Sequence, residues 1–206
     1  MNPLDKITTT LVAGVVLAVL AVFAIHGLAP GGTSDALLVL GRWLHIAAGI
    51  TWIGLLYYFN FVQVPGLADA AADKGGPGGA GVSKYIAPRA LLWFRWAALV
   101  TWLSGAAYLV MAEHLGFIRS FTLGFADGGN WQHATIGTGA WLGTIMLINV
   151  WVFIWPNQKK ILGLAPATDE QKAAARKTAL YASRMNYILS IPMLLCMAGA
   201  MHGLPF

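Results

Sequence analysis

The chain has 206 residues, 58% of them hydrophobic and only 10% charged, with a mean hydropathy of +0.66. That composition excludes an ordinary water-facing surface, so lipid must replace it, and it leaves little chain for a separate soluble catalytic domain. The net charge of +5 does not indicate a nucleic-acid binder, because the cations flank apolar runs and form no basic face with interleaved aromatics. The single cysteine, Cys196, excludes an intrachain disulfide framework and a cysteine-held zinc or iron–sulfur cluster.

Hydropathy predicts an all-α integral membrane bundle of about five transmembrane helices, a single domain over 1–206. The first span is expected roughly over 11–28. The alternative for such a run is a cleaved signal peptide, but the Ala-x-Ala-type site is poor and the run is long for an h-region. A second span over 36–64 leads into a loop, 65–87, whose stretch Lys74-Gly-Gly-Pro-Gly-Gly-Ala-Gly81 cannot form a core. The third span is expected over 88–113 and the fourth over 133–155, where Trp155-Pro156 opens a second loop, 156–184. There Thr168-Asp-Glu-Gln171 reads as a capping box ahead of Lys172–Arg184, predicting a short basic helix on the membrane surface. The fifth span covers 185–203, and its Pro192 is tolerable in a membrane helix.

Sorting the cations by alternating loops orients the chain. Of the thirteen Lys and Arg, only Arg42 and Arg119 fall on one side. The positive-inside rule then places the N-terminus and the loops 65–87 and 156–184 in the cytoplasm, and the C-terminus outside. Arg95, about two turns into the third span, is expected to snorkel back to the cytoplasmic face beside Trp93 and Trp96.

On this topology all five histidines, His26, His45, His114, His133 and His202, fall toward the outer leaflet. His26 and His114 sit where spans give way to loops, in the wet headgroup zone. His45 lies about two turns inward, past Arg42 and Trp43, where an imidazole needs a partner. Two spans repeat a local pattern, with Gly49 four residues after His45 and Gly137 four residues after His133. Residues at that spacing share a helix face, so each imidazole has a side-chain-free notch one turn deeper. A flat macrocycle could lie there, although plain helix–helix contact also uses small residues. Two neutral imidazoles from different helices suit a b-type haem, and the absence of Cys-x-x-Cys-His excludes covalent c-type attachment. His45 is the first expected ligand, with His133 and His202 competing for the second place and Arg42 placed for a propionate. A non-haem metal at His45, His133 and His202 competes, with Glu113, Asp35 and Asp127 nearby; solvation beside glycines explains the two aspartates.

The stretches Arg42-Trp-Leu-His-Ile-Ala-Ala-Gly-Ile-Thr-Trp-Ile-Gly54, Lys84-Tyr-Ile-Ala-Pro88, Trp93-Phe-Arg-Trp96 and Thr101-Trp-Leu-Ser-Gly105 form an ordered set. With Gly143-Thr-Ile-Met146, Pro156-Asn-Gln-Lys159, Asn186-Tyr-Ile-Leu-Ser-Ile-Pro192 and the late His202, they touch spans two to five. Together they resemble the membrane domain of the bacterial urate hydroxylase family, a cytochrome-c-linked urate oxidase. In that family the domain is typically followed by a cytochrome c domain, and this chain is read as a short form lacking it. The family histidine of the span-four region lies nearer Gly137 than His133.

The resemblance implies a redox role in a bacterial inner membrane. The leading expectation is a membrane protein that binds haem b near the outer leaflet and passes electrons to or from a cytochrome c or a larger respiratory complex. One alternative is a cofactor-free accessory subunit of a respiratory or photosynthetic assembly. Another is a urate-oxidising enzyme acting with a separate cytochrome c, for which only Asn60, Gln63 and Asn149 offer polar groups within or beside spans. Transport would call for midplane charges and inverted repeats, and the sequence has neither.

Overall fold

The computed structural model describes residue 4, residues 6–26 and residues 32–203. Those residues are all-helical, with no strand among them. In chain order the α-helices are α1 (Ile7–His26), α2 (Gly32–Tyr58), α3 (Val64–Ala72), α4 (Ala87–Met111), α5 (Phe117–Phe121), α6 (Trp131–Ile148), α7 (Trp155–Ile161) and α8 (Asp169–His202). Five continuous rods are long and apolar enough to cross a membrane: Ile7–Ile25, Asp35–Ala72, Val82–Met111, Trp131–Ile161 and Asp169–His202.

Three of these rods contain a π-helical turn, at Phe59–Gln63, Val82–Ile86 and Asn149–Ile154. A proline follows each after one intervening residue: Pro65, Pro88 and Pro156. A proline has no N–H for the carbonyl four residues back, and its ring collides with that carbonyl. Widening the preceding turn relieves the collision, and the residue before each proline donates five residues back: Val64 to Phe59, Ala87 to Val82 and Trp155 to Val150. The rods therefore run on through their prolines with one shift of helical register each.

Four rods close into a ring in the order α2, α4, α6, α8 and back to α2, and every seam carries an interhelical hydrogen bond. His45 meets the Thr101 carbonyl across α2 and α4 at 2.8 Å, and Trp102 Nε1 donates to Thr144 Oγ1 across α4 and α6 at 2.8 Å. Asn149 Nδ2 donates to Asn186 Oδ1 between the α6 rod and α8 at 2.7 Å. Tyr57 Oη and Ser190 Oγ lie 3.2 Å apart, and Asn60 Nδ2 donates to Ser183 Oγ at 2.9 Å, closing α8 onto the α2 rod. Inside the ring Trp52, Leu56, Phe59, Phe94, Met146, Val150 and Met193 form one apolar core.

The ring consists of two hairpins with the same landmarks in the same order. Trp43-Leu-His45, Gly49, Trp52-Ile-Gly54, Asn60 and Pro65 on the α2 rod correspond to Trp131-Gln-His133, Gly137, Trp141-Leu-Gly143, Asn149 and Pro156 on the α6 rod. Each asparagine lies within or opens a π turn. The first rod, α1, stands outside the ring against α2 and has no buried residue in its apolar window.

Five helices long enough to span are present, as expected, but four of the rods run past the expected spans into what were expected to be the loops 65–87 and 156–184. The capping box forms, with Thr168 and Gln171 side chains bonded reciprocally to each other's backbone N–H. The basic stretch it opens is not a separate surface helix, because α8 is continuous for 34 residues. At 1.5 Å per residue such a helix spans roughly 50 Å, against a hydrocarbon core of about 30 Å. Its first turns, with Lys172, Arg176 and Lys177, therefore extend beyond the apolar layer. Arg95 turns toward the same end of the bundle, its guanidinium 3.8 Å over the Trp155 ring.

Candidate functional site

His45 sits half-buried on the face of α2 that meets α4. The wall opposite is Thr101-Trp-Leu-Ser-Gly105, so two stretches far apart in sequence meet at this imidazole. A carbonyl only accepts, so Nδ1 carries the proton that Thr101 receives at 2.8 Å, and the neutral ring keeps its lone pair on Nε2. Gly105 makes that contact possible. A Cβ there would lie 2.7 Å from both Cε1 and Nδ1 of His45, so the missing side chain exposes the Thr101 carbonyl to the ring. A ring N–H held by a backbone carbonyl is the arrangement that orients a metal-ligating histidine and raises the basicity of its other nitrogen.

His133 is placed differently. It is buried at the start of α6, where Asn130 caps the helix by accepting from the Gln132 and His133 N–H groups. Its Nε2 donates to the His114 carbonyl at 3.0 Å. Its Nδ1 lies 2.6 Å from Asp127 Oδ2, a close contact that is not aligned as a hydrogen bond. The other oxygen of Asp127 lies 3.3 Å from Arg119 Nε. Both nitrogens of His133 thus face acceptors, and in this arrangement neither is open to a metal. Solvation does not account for Asp127, whose carboxylate bridges Arg119 and His133. The sequence signal for this pairing was the glycine cluster: Gly124, Gly128 and Gly129 adopt φ of 74°, 73° and 98°, turning the chain back so that Asp127 reaches α6.

The two glycine notches are filled by protein. Gly49 faces the Thr101 methyl at ordinary contact distance, 3.7 Å from a would-be Cβ. Gly137 admits the Ser120 carbonyl so closely that no side chain fits, and Trp141 Nε1, one turn on, donates to the Phe121 carbonyl at 3.0 Å. The segment 112–130 is thereby fastened along α6, with Ala112, Leu115 and Ser120 buried beneath it.

The remaining residues singled out in the sequence lie apart. His202 and His114 are exposed, as are Arg42, Glu113 and Asp35; the His26 side chain lies outside the described residues. Arg42 stands 6.0 Å from the Tyr108 ring centre. No group of three His, Cys, Asp or Glu side chains among the described residues converges as a metal site. Asn60 and Asn149 use their amides between helices, whereas Gln63 Oε1 is buried without a partner. His45 and His133 are thus committed to different partners, and the geometry does not bring them together as a pair.

Taken together, the five rods and the ring of hydrogen-bonded seams define a multi-pass helical membrane protein. The chain belongs to the family described as urate oxidase N-terminal, whose model matches residues 33–117 and 120–206. The break between the two matched segments falls in the connection between the two hairpins. The chain matches no curated protein and no solved structure.

Proposed function

We propose that the protein is a membrane-embedded redox component related to urate hydroxylase, resident in a bacterial inner membrane, with His45 as its ligand for haem b. The observation that supports this reading is the Nδ1–Thr101 hydrogen bond, which orients the imidazole and leaves Nε2 as a lone-pair donor. A bound haem b would supply one-electron transfer, with a cytochrome c or a larger respiratory complex as its exchange partner. The chain's own residues supply orientation: Thr101 fixes the ring, Gly105 admits it, and Arg42, one turn outward, is placed to pair with a carboxylate of the group. His202, exposed at the end of α8, is the second ligand that this reading leaves. Urate oxidation itself would need a polar pocket beyond Gln63, since Asn60 and Asn149 are committed to seams.

The test is an oxidised-minus-reduced absorption spectrum of the detergent-purified protein, repeated on His45→Ala. A b-type spectrum in the wild type that disappears in the variant is the expected result. A featureless spectrum from intact, loaded membranes would discard the haem reading in favour of a cofactor-free accessory subunit, which the unburied apolar α1 also suits.

A further inference from the structure

Away from the histidine end, a groove of about 380 Å³ lies between the last turns of α2 and the start of the α4 rod. Leu55 and Tyr58 form one wall, and Ile86, Arg89, Ala90 and Trp93 form the other. The second wall is a single stripe at helical spacing, running roughly 10 Å along the rod. Its lining is apolar except for one cation, Arg89.

The rod Val82–Met111 has 30 residues, and at 1.5 Å each it exceeds the hydrocarbon core of about 30 Å. Arg89, about two turns from its start, therefore sits at the boundary between acyl chains and headgroups. The exposed rings of Trp93 and Tyr85 belong to the same interfacial belt.

Arg89 has no carboxylate partner among the described residues. One Nη donates to the Tyr85 carbonyl, leaving the other N–H groups of the guanidinium unused. The Lys84 ammonium lies over the ring of Tyr85, another lining residue of the groove, 5.4 Å from the centroid. A planar cation with free paired donors matches phosphate oxygens, and a second cation over the ring of a lining residue favours a headgroup of net negative charge.

We propose that this groove binds one anionic phospholipid, its phosphodiester on Arg89 with Lys84 alongside, and an acyl chain laid against Leu55, Ala90 and Trp93. The π turn at Val82–Ile86 aids this arrangement, because the wider turn ahead of Pro88 sets the orientation of Tyr85 and Arg89 at the groove.

The test is native mass spectrometry of the detergent-purified protein titrated with a phosphatidylglycerol and with the phosphatidylcholine of identical chains. The wild type is expected to take up the first phosphatidylglycerol several-fold more tightly than phosphatidylcholine. Arg89→Gln should bring the two lipids to within about twofold, while Arg176→Gln, on the exposed start of α8, keeps the preference. Excess inorganic phosphate should not displace the bound lipid. Equal binding of the two lipids by the wild type, an undiminished preference in Arg89→Gln, or displacement by phosphate alone would each overturn the assignment.

Discussion

Gly105 and Gly49 are both glycines at the seam of α2 and α4, yet they carry different constraints. Adding a methyl at Gly105 drives it into the His45 ring, which is held by the Thr101 carbonyl and cannot withdraw without breaking that hydrogen bond. Overpacking of this kind costs about 1–3 kcal/mol. A methyl at Gly49 meets only another methyl at ordinary distance, and alanine is favoured over glycine in a helix by up to about 1 kcal/mol. Thermal unfolding in detergent should therefore show Gly105→Ala melting below the wild type and Gly49→Ala at or above it; equal midpoints would contradict the His45 contact. The sequence exposed His45 as an imidazole needing a partner, through its depth past Arg42 and Trp43. It did not reveal that the partner is a main-chain carbonyl on another helix, because a carbonyl carries no residue signature and Gly105 lies far away in the chain. The same limit hid the role of Gly137, whose neighbour is the Ser120 main chain.

Among the elements, the seams are held by few polar groups set in an apolar background. Asn186 is fully buried, accepts from Asn149 at 2.7 Å and donates to the Met146 carbonyl at 3.1 Å. Interhelical hydrogen bonds in membranes average about 0.6 kcal/mol and reach about 1.7. Asn186→Leu, which keeps the branched shape and removes the amide, should lower stability by about 1–2 kcal/mol in a denaturant titration. A change below about 0.3 kcal/mol would mean that van der Waals contact alone holds this seam. The five rods were legible because long apolar runs have few other solutions in 206 residues. The join at Arg184–Tyr187 was not, since a change from basic to apolar composition looks like a boundary although nothing there breaks a helix. Likewise Trp155-Pro156 read as the end of a span, whereas a π turn before Pro156 lets the rod continue to Ile161.

For the whole molecule, the cations gather at the end of the bundle that carries α3, α7 and the start of α8, and the histidines at the other. The positive-inside rule assigns the basic end to the cytoplasm. In a Cys196→Ala background, Lys74→Cys should resist a membrane-impermeant thiol reagent in intact cells, while Gly128→Cys should react; the reverse pattern would invert the orientation. The repeated landmarks on the α2 and α6 rods carry a further consequence for topology. Each hairpin crosses the bilayer and returns to the side from which it started, so a tandem copy of it enters the membrane in the same sense as the first. Such a unit can be duplicated without reversing any loop charge, and the two copies are related by an axis along the membrane normal. In such an arrangement α1, which stands outside the ring against α2, adds a crossing without changing the hand of the ring.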